Sequence, residues 1–197
     1  MARHSLRERI LDAGLRVMFH KGYIGSGIRE IAAEATAPQG SFTNHFRSKE
    51  EFAREVLDRY FDDLKQLAAE TLKDESRTPR ERLKRYLDAI TERLARDGFR
   101  RGCLIGDLSL ETAPQSEMLR ARLSEIFSEW LASFAACIAE GQTANEIATT
   151  IAPEELAEFL LCSWEGAILR MKVQRTVEPL ERFKRIAFAT VFKESQT

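Results

Sequence analysis

Apolar side chains recur every third or fourth residue along almost the whole chain, and runs that alternate with a period of two are missing. That spacing lines one face of an α-helix, so the pattern predicts an all-helical protein. A first helix is expected over about Ser5 to His20, with Leu6, Ile10, Ala13 and Val17 in one stripe, Ser5 as N-cap, and Lys21-Gly22 as a cationic end and stop. Ser26 is placed to cap a second helix. Ser48 is placed to cap a long fourth one, Lys49 to about Leu72, with Phe52, Val56, Tyr60, Leu64 and Leu67 on its apolar face. Thr78-Pro79 opens a helix that carries Leu83, Leu87, Ile90 and Leu94 and runs to Asp97-Gly98. A break at Gly98 to Gly102 precedes a short helix from about Cys103 to Thr112. Leu119, Leu123, Ile126, Phe127, Trp130, Leu131, Phe134 and Ile138 then define a long apolar helix ending at Gly141. Pro153 and Pro179 start the last two.

Two of the early helices meet across a very short break. Ile28, Ile31 and Ala32 make one apolar face, Phe42 and Phe46 make another, and only Ala35-Thr36-Ala37 lies between them. A connection of that length makes short helices cross steeply, as in a helix-turn-helix. The second helix, roughly Gln39 to His45, is then the one expected in a DNA major groove. It offers Gln39, Ser41, Thr43, Asn44 and His45, short or planar polar groups, of which Gln and Asn match the paired donor and acceptor of adenine. Arg29, near the start of the preceding helix, suits guanine or a phosphate, and Gly40 lets the backbone come close. The same residues also fit a solvated face on a small helical corner, and His45 fits a stacking or capping role equally well.

Charge sharpens this picture only when divided along the chain. The total is −1, but residues 1–50 hold eight Lys or Arg against five Asp or Glu, and all three histidines. The rest carries 22 basic against 26 acidic side chains. A basic head on an acidic body is the asymmetry expected when one end meets phosphate. With 44% hydrophobic and 9% aromatic residues the composition suits an ordinary core and argues against disorder. Three cysteines are too few and too spread for a disulfide framework or a CxxC-type zinc site, so no metal or cofactor is expected, and the compartment is expected to be reducing. No secretory signal and no membrane-length apolar run is found, and the expected location is cytoplasmic.

The stretch ILDAGLRVMFHKGYIGSGIREIAAEATAPQGSFTNHFRSKEEF, Ile10 to Phe52, resembles the DNA-binding domain of the TetR-type (TetR/AcrR) bacterial transcriptional regulators. The carrying features are the helix ending KGY, the REIA segment, the GSF and HF pairs and the SKEEF opening. The later helices resemble that family in number, order and length. The resemblance implies a helix-turn-helix domain over residues 1–48 and a larger helical ligand-binding and dimerisation domain over residues 49–197. It also implies a homodimer on a pseudo-palindromic double-stranded DNA operator, released by a small-molecule inducer. Lys49 resembles the family's backbone-contacting lysine. Two positions depart from the pattern: Thr36 stands where the family usually has Gly, and Thr43 where it commonly has a phosphate-contacting Tyr. A β-branched residue at position 36 resists positive φ, so the turn is expected to be altered or strained.

In the second half, DGFRRGCLIGDLSLE (Asp97 to Glu111) places Cys103 at a helix start near Arg100 and Arg101. Exposed backbone N–H groups and cations there favour a reactive thiolate, while the alternative is a small buried hydrophobe. The GCLIG element also resembles a branch of the family that responds to unsaturated or thiol-reactive small molecules. Cys137 and Cys162 are expected in the core. Phe127, Trp130 and Trp164 are candidate walls of an apolar pocket, with Asp107 or Arg170 fixing a ligand's orientation, although each also fits plain packing. Ser163, Gly166, Ala167 and Ala187 would let the last two long helices pair with a second copy, or close the monomer core.

The leading expectation is therefore a DNA-binding repressor that responds to a ligand or a thiol reagent. A constitutive DNA-binding protein without a ligand is the alternative. A small thiol enzyme using Cys103 is disfavoured, because no histidine lies in the second domain to act as its base, and no enzymatic activity is expected.

Overall fold

Helices occupy each segment that the apolar spacing marks. The computed structural model describes residues 5–38 and 40–192, and among these no strand forms. In chain order the helices are α1 (Leu6–Gly25), α2 (Ile28–Glu34), α3 (Ser41–His45), α4 (Lys49–Leu72), α5 (Pro79–Ala95), α6 (Leu104–Thr112), α7 (Glu117–Thr143), α8 (Pro153–Gln174) and α9 (Glu178–Thr190). Packing divides them into two compact units, Met1–Asp63 with Cys103–Glu125, and Leu64–Gly102 with Ile126–Thr197. That division differs from a break after residue 48. It falls inside α4 and α7 and brings α6 into the first unit, because α6 packs against α1 and buries Leu104, Ile105 and Leu108.

In the first unit, α1 begins at Ser5, whose hydroxyl accepts from the Glu8 N–H, and buries Ile10, Leu11, Ala13, Val17 and Met18. Gly22, at φ 69°, interrupts its helical geometry as the stop signal predicts. Gly14 matters for another reason. A Cβ there would lie 2.2 Å from Cζ of Phe52, so its absence lets α4 approach α1 closely. Ion pairs rim this contact: Arg59 binds Glu8 and Asp12, and Arg7 binds Glu55.

Helix capping follows the sequence at Ser48, whose hydroxyl accepts from the Glu51 N–H at 3.0 Å. It does not at Ser26. That serine is fully buried and its hydroxyl donates back to the Tyr23 carbonyl at 2.8 Å, closing α1, while Gly27 takes the N-cap of α2 without a side-chain bond.

The turn after α2 is a Schellman closure. The Ala37 N–H reaches the Ala32 carbonyl and the Thr36 N–H reaches the Ala33 carbonyl, each at 2.9 Å, with Thr36 at φ 51° in the position that normally favours glycine. The Arg9 guanidinium donates to the carbonyls of Ala35, at 2.6 Å, and Thr36, at 3.2 Å, and so holds the strained turn against α1.

In the second unit, α5 starts with a full capping box between Thr78 and Glu81, followed by Pro79. Leu83, Tyr86 and Leu87 of α5, Trp130, Phe134 and Ile138 of α7, Leu156, Leu160, Trp164 and Met171 of α8, and Leu180 of α9 form its interior. Buried charge is paired: Lys184 donates to Asp88 at 2.6 Å and lies 2.7 Å from Glu181, while Arg82 binds Glu140 at 2.7 Å and the Leu72 carbonyl at 3.0 Å.

A residue with a Cβ at φ 51° carries strain of about 1–2 kcal/mol, and glycine would return part of that as lost chain entropy. Thr36→Gly is accordingly expected to raise the unfolding free energy by about 1 kcal/mol in urea denaturation. An unchanged or lower midpoint would show the turn to be relaxed with threonine in place.

Candidate nucleic-acid interface and sensor

Helix α3 has five residues, too few to hold together alone. Its inner face does the holding. Phe42 and Phe46 are 1% and 2% exposed and form a triangle of rings with Phe52, with centroids 5.2, 4.9 and 4.7 Å apart. Arg7 lies over the Phe46 ring at 5.2 Å. The residues between the two rings necessarily point outward, and Thr43, Asn44 and His45 are all exposed. The Thr43 hydroxyl donates to the Gly40 carbonyl at 3.0 Å. Arg29 is exposed in the first turn of α2. Ser41 departs from expectation. It is 8% exposed at the first position of α3, on the side of the core, so its hydroxyl does not join the outward polar face. Gln39 lies outside the described residues. Arg47, which the spacing argument passed over, is exposed directly after α3.

Lys49 starts α4 half-buried. Its ammonium donates to the Ile24 carbonyl at 3.4 Å and lies 4.5 Å from the centroid of the Tyr23 ring. Burial lowers its pKa from the ordinary lysine value, while the nearby Glu111 carboxylate acts in the opposite direction. Glu111 also accepts from the Ile24 N–H at 2.8 Å. Tyr23 titrates above the ordinary tyrosine value because it is buried and because Glu50 lies near. Glu50 in turn accepts from the Ser116 hydroxyl. Sequence reasoning missed Glu111 and Glu50, since their partners come from elements far apart in the chain.

Cys103 is the N-cap of α6 and is 6% exposed. Arg101, one of the two cations expected to act on it, pairs with Asp97 at 2.5 Å. Cys137 is buried as expected. Its thiol donates to the Pro79 carbonyl at 3.3 Å, and burial pushes its pKa to about 12. Cys162 is not a core residue: it is exposed on α8, because the buried face of that helix runs through Leu160, Leu161, Trp164, Ala167 and Ile168 instead.

The comparisons with known proteins agree with this geometry. Residues 10–56 match the model for bacterial regulatory proteins of the tetR family, and residues 79–187 match that for the tetracyclin repressor-like C-terminal domain. The chain belongs to the TetR family. The transcriptional repressor DhaR of Mycobacterium sp. (strain GP1) is 43% identical over 196 residues, which is 100% of this chain and 97% of DhaR. A TetR regulatory protein from Rhodobacter sphaeroides has a structure with TM-score 0.88 at 35% identity, covering 92% of this chain and 97% of that one. The reduced form of Escherichia coli NemR has TM-score 0.86 at 27% identity, covering 98% of this chain and all of the other. Membership of the TetR family makes this protein a DNA-binding transcriptional regulator. No helix among the described residues is long and apolar enough to cross a membrane.

The residues nominated for a ligand pocket are divided between the two units. Asp107 belongs to the first unit, and Phe127, Trp130, Trp164 and Arg170 to the second. Within the second unit, Phe127 is half-buried, Arg170 is exposed on α8, and the Trp130 indole donates to the Tyr86 hydroxyl at 2.9 Å. Trp164 stands apart. It is 1% exposed, its ring lies 5.4 Å from that of Phe183, and its N–H has no acceptor among the described residues. A groove of about 510 Å³ runs along α5, but its lining (Arg77, Glu81, Lys84, Arg85, Asp88, Ala89 and Glu92) is charged with both signs, unlike the apolar wall expected of an inducer site.

Proposed function

We propose that this TetR-family regulator is a homodimeric repressor that reads a pseudo-palindromic operator through α3 and is released by a small-molecule or thiol-reactive inducer. The observation that carries the reading of DNA is the outward face of α3, where Thr43, Asn44 and His45 are exposed directly opposite the buried Phe42 and Phe46. Asn44 reads a base edge, Thr43 and His45 flank it, and Arg29 and Lys49 meet phosphates on either side. Repression is the polarity that DhaR carries in its name.

Dimerisation is supported by an exposed stripe on α8. Phe159, Cys162, Gly166, Leu169 and Val173 are exposed and succeed one another at intervals of three, four, three and four residues, and Ile186 of α9 is also 50% exposed. That alternation is the seam along which two helices pack, with Gly166 allowing close approach. Ala167 and Ala187, two of the four small residues first considered for this contact, are buried within the monomer and close its own core. An exposed apolar stripe of this length in a regulator of a two-fold target is explained by a second copy.

Two features support effector sensing. Cys103 heads α6, so an electrophile that reached its sulfur would place the new bond on a helix of the DNA-contacting unit. The unpaired Trp164 N–H calls for an acceptor, which an apolar ligand with a carbonyl or hydroxyl would supply.

Selection of bound sequences from random duplex DNA tests the central reading, and recovery of no two-fold-related motif would overturn it. With the operator in hand, Asn44→Ala should lose about 1–3 kcal/mol and relax preference at one base position, whereas Lys49→Ala should weaken all sequences alike and reduce the salt slope by about 1. Identical discrimination in the two variants would contradict these roles. Leu169→Arg should convert the dimer to monomer in sedimentation analysis and weaken operator binding. A dimeric Leu169→Arg protein would remove α8 from the interface. Cys103→Ser should bind operator normally yet ignore electrophiles, and a fully responsive variant would exclude this thiol as the sensor.

A further inference from the structure

Three observations meet at the end of α6, all inside the first unit. Glu111, in the last turn of that helix, accepts from the Ile24 N–H at 2.8 Å. A Cβ on Gly22, whose φ is 69°, would fall 1.9 Å from Oε1 of Glu111, so the carboxylate occupies space that only glycine leaves open. Lys49 holds the same residue from its carbonyl side, at 3.4 Å from the Ile24 oxygen, with its ammonium over the Tyr23 ring. The segment from Gly22 to Ile24 is thus gripped by a carboxylate at one peptide group and by a lysine at the next.

We propose that Glu111 is a positioning residue for DNA contact: its carboxylate clamps the exit of α1 against α6 and thereby sets where Lys49 presents its charge. This rests on the reading of Lys49 as a phosphate contact. The clamp has two separable parts. One is the accepted hydrogen bond, which fixes Ile24 and with it the carbonyl that Lys49 uses. The other is the negative charge, which favours the protonated lysine in its half-buried seat but also opposes its pull on a phosphate. Loss of the hydrogen bond frees the segment, whereas loss of the charge alone leaves Lys49 in place with a stronger pull on DNA.

The test compares Glu111→Gln, which keeps the acceptor and the size, with Glu111→Ala, which removes both, each as the full-length protein with helical content and melting temperature checked. Operator affinity is measured across a salt series. Glu111→Ala should bind about tenfold more weakly with a salt slope smaller by about 1, as if Lys49 were lost, while Glu111→Gln should bind at least as tightly as the parent with its slope retained. Gly22→Ala, which expels the carboxylate, should follow Glu111→Ala. In a Lys49→Ala background Glu111→Ala should add nothing further. Parent affinity and slope in Glu111→Ala, equal losses in the Gln and Ala variants, or additive losses with Lys49→Ala would each overturn the proposal. If Lys49→Ala alone binds like the parent, the phosphate reading itself falls, and that result is distinct because it involves no change at Glu111.

Discussion

A five-residue helix has no stability of its own, so every contact this regulator makes through α3 depends on the aromatic triangle behind it. Phe42, Phe46 and Phe52 are each almost fully buried, and burying a phenylalanine is worth about 1.5–3 kcal/mol relative to exposure. That is enough to fix a segment whose own hydrogen bonds cannot. Rings spaced four and six residues apart leave Thr43 to His45 no inward direction, and all three are exposed. Gly14 completes the arrangement from α1 by admitting the Phe52 ring where any Cβ would collide.

Around this apolar core, several backbone ends of the same unit are secured by charged side chains from other helices. Arg9 satisfies the last carbonyls beyond α2, Glu111 takes an N–H beyond the break in α1, and Lys49 takes the carbonyl next to it. Helix termini leave such groups unsatisfied, and a short-helix fold has many termini for its size. Using charged groups for this purpose has a functional corollary. Of the cations proposed to face phosphate, Lys49 is already engaged by the protein itself, through the Ile24 carbonyl and the Tyr23 ring.

The second unit is organised differently. Its interior is apolar and its buried polar groups are mostly satisfied, with Lys184 on Asp88 and Glu181, Arg82 on Glu140, and Trp130 on Tyr86. A buried polar group that lacks a partner costs more than an average one gains, and the Trp164 N–H is in that position among the described residues, as are Arg82 Nε and Glu146 Oε2. The outward face of α8 is apolar where a solvated helix would be polar. The Trp164 N–H lacks an acceptor among the described residues and the exposed face of α8 lacks a covering surface, and these two features support the proposed effector site and the proposed contact with a second copy.

The amino-acid sequence by itself determined whatever acts within about one helical turn. Ser5, Ser48 and the Thr78-Pro79 pair mark true helix starts, Gly22 marks a true break, and the period of Phe42 and Phe46 leaves Thr43, Asn44 and His45 outside. Tertiary structure decided what depends on which face meets a distant element. Ser26 and Ser41 carry the residue type of caps and contacts, yet neighbours from other helices bury them. Cys162 sits in an apolar run, yet the core takes the adjacent face of α8, and Ala167 and Ala187 turn inward where Gly166 does not. The allegiance of α6 and the position of Glu111, 87 residues from the N–H it accepts, follow the same rule. Periodicity states that a face is apolar, but only the assembled fold states what that face is set against.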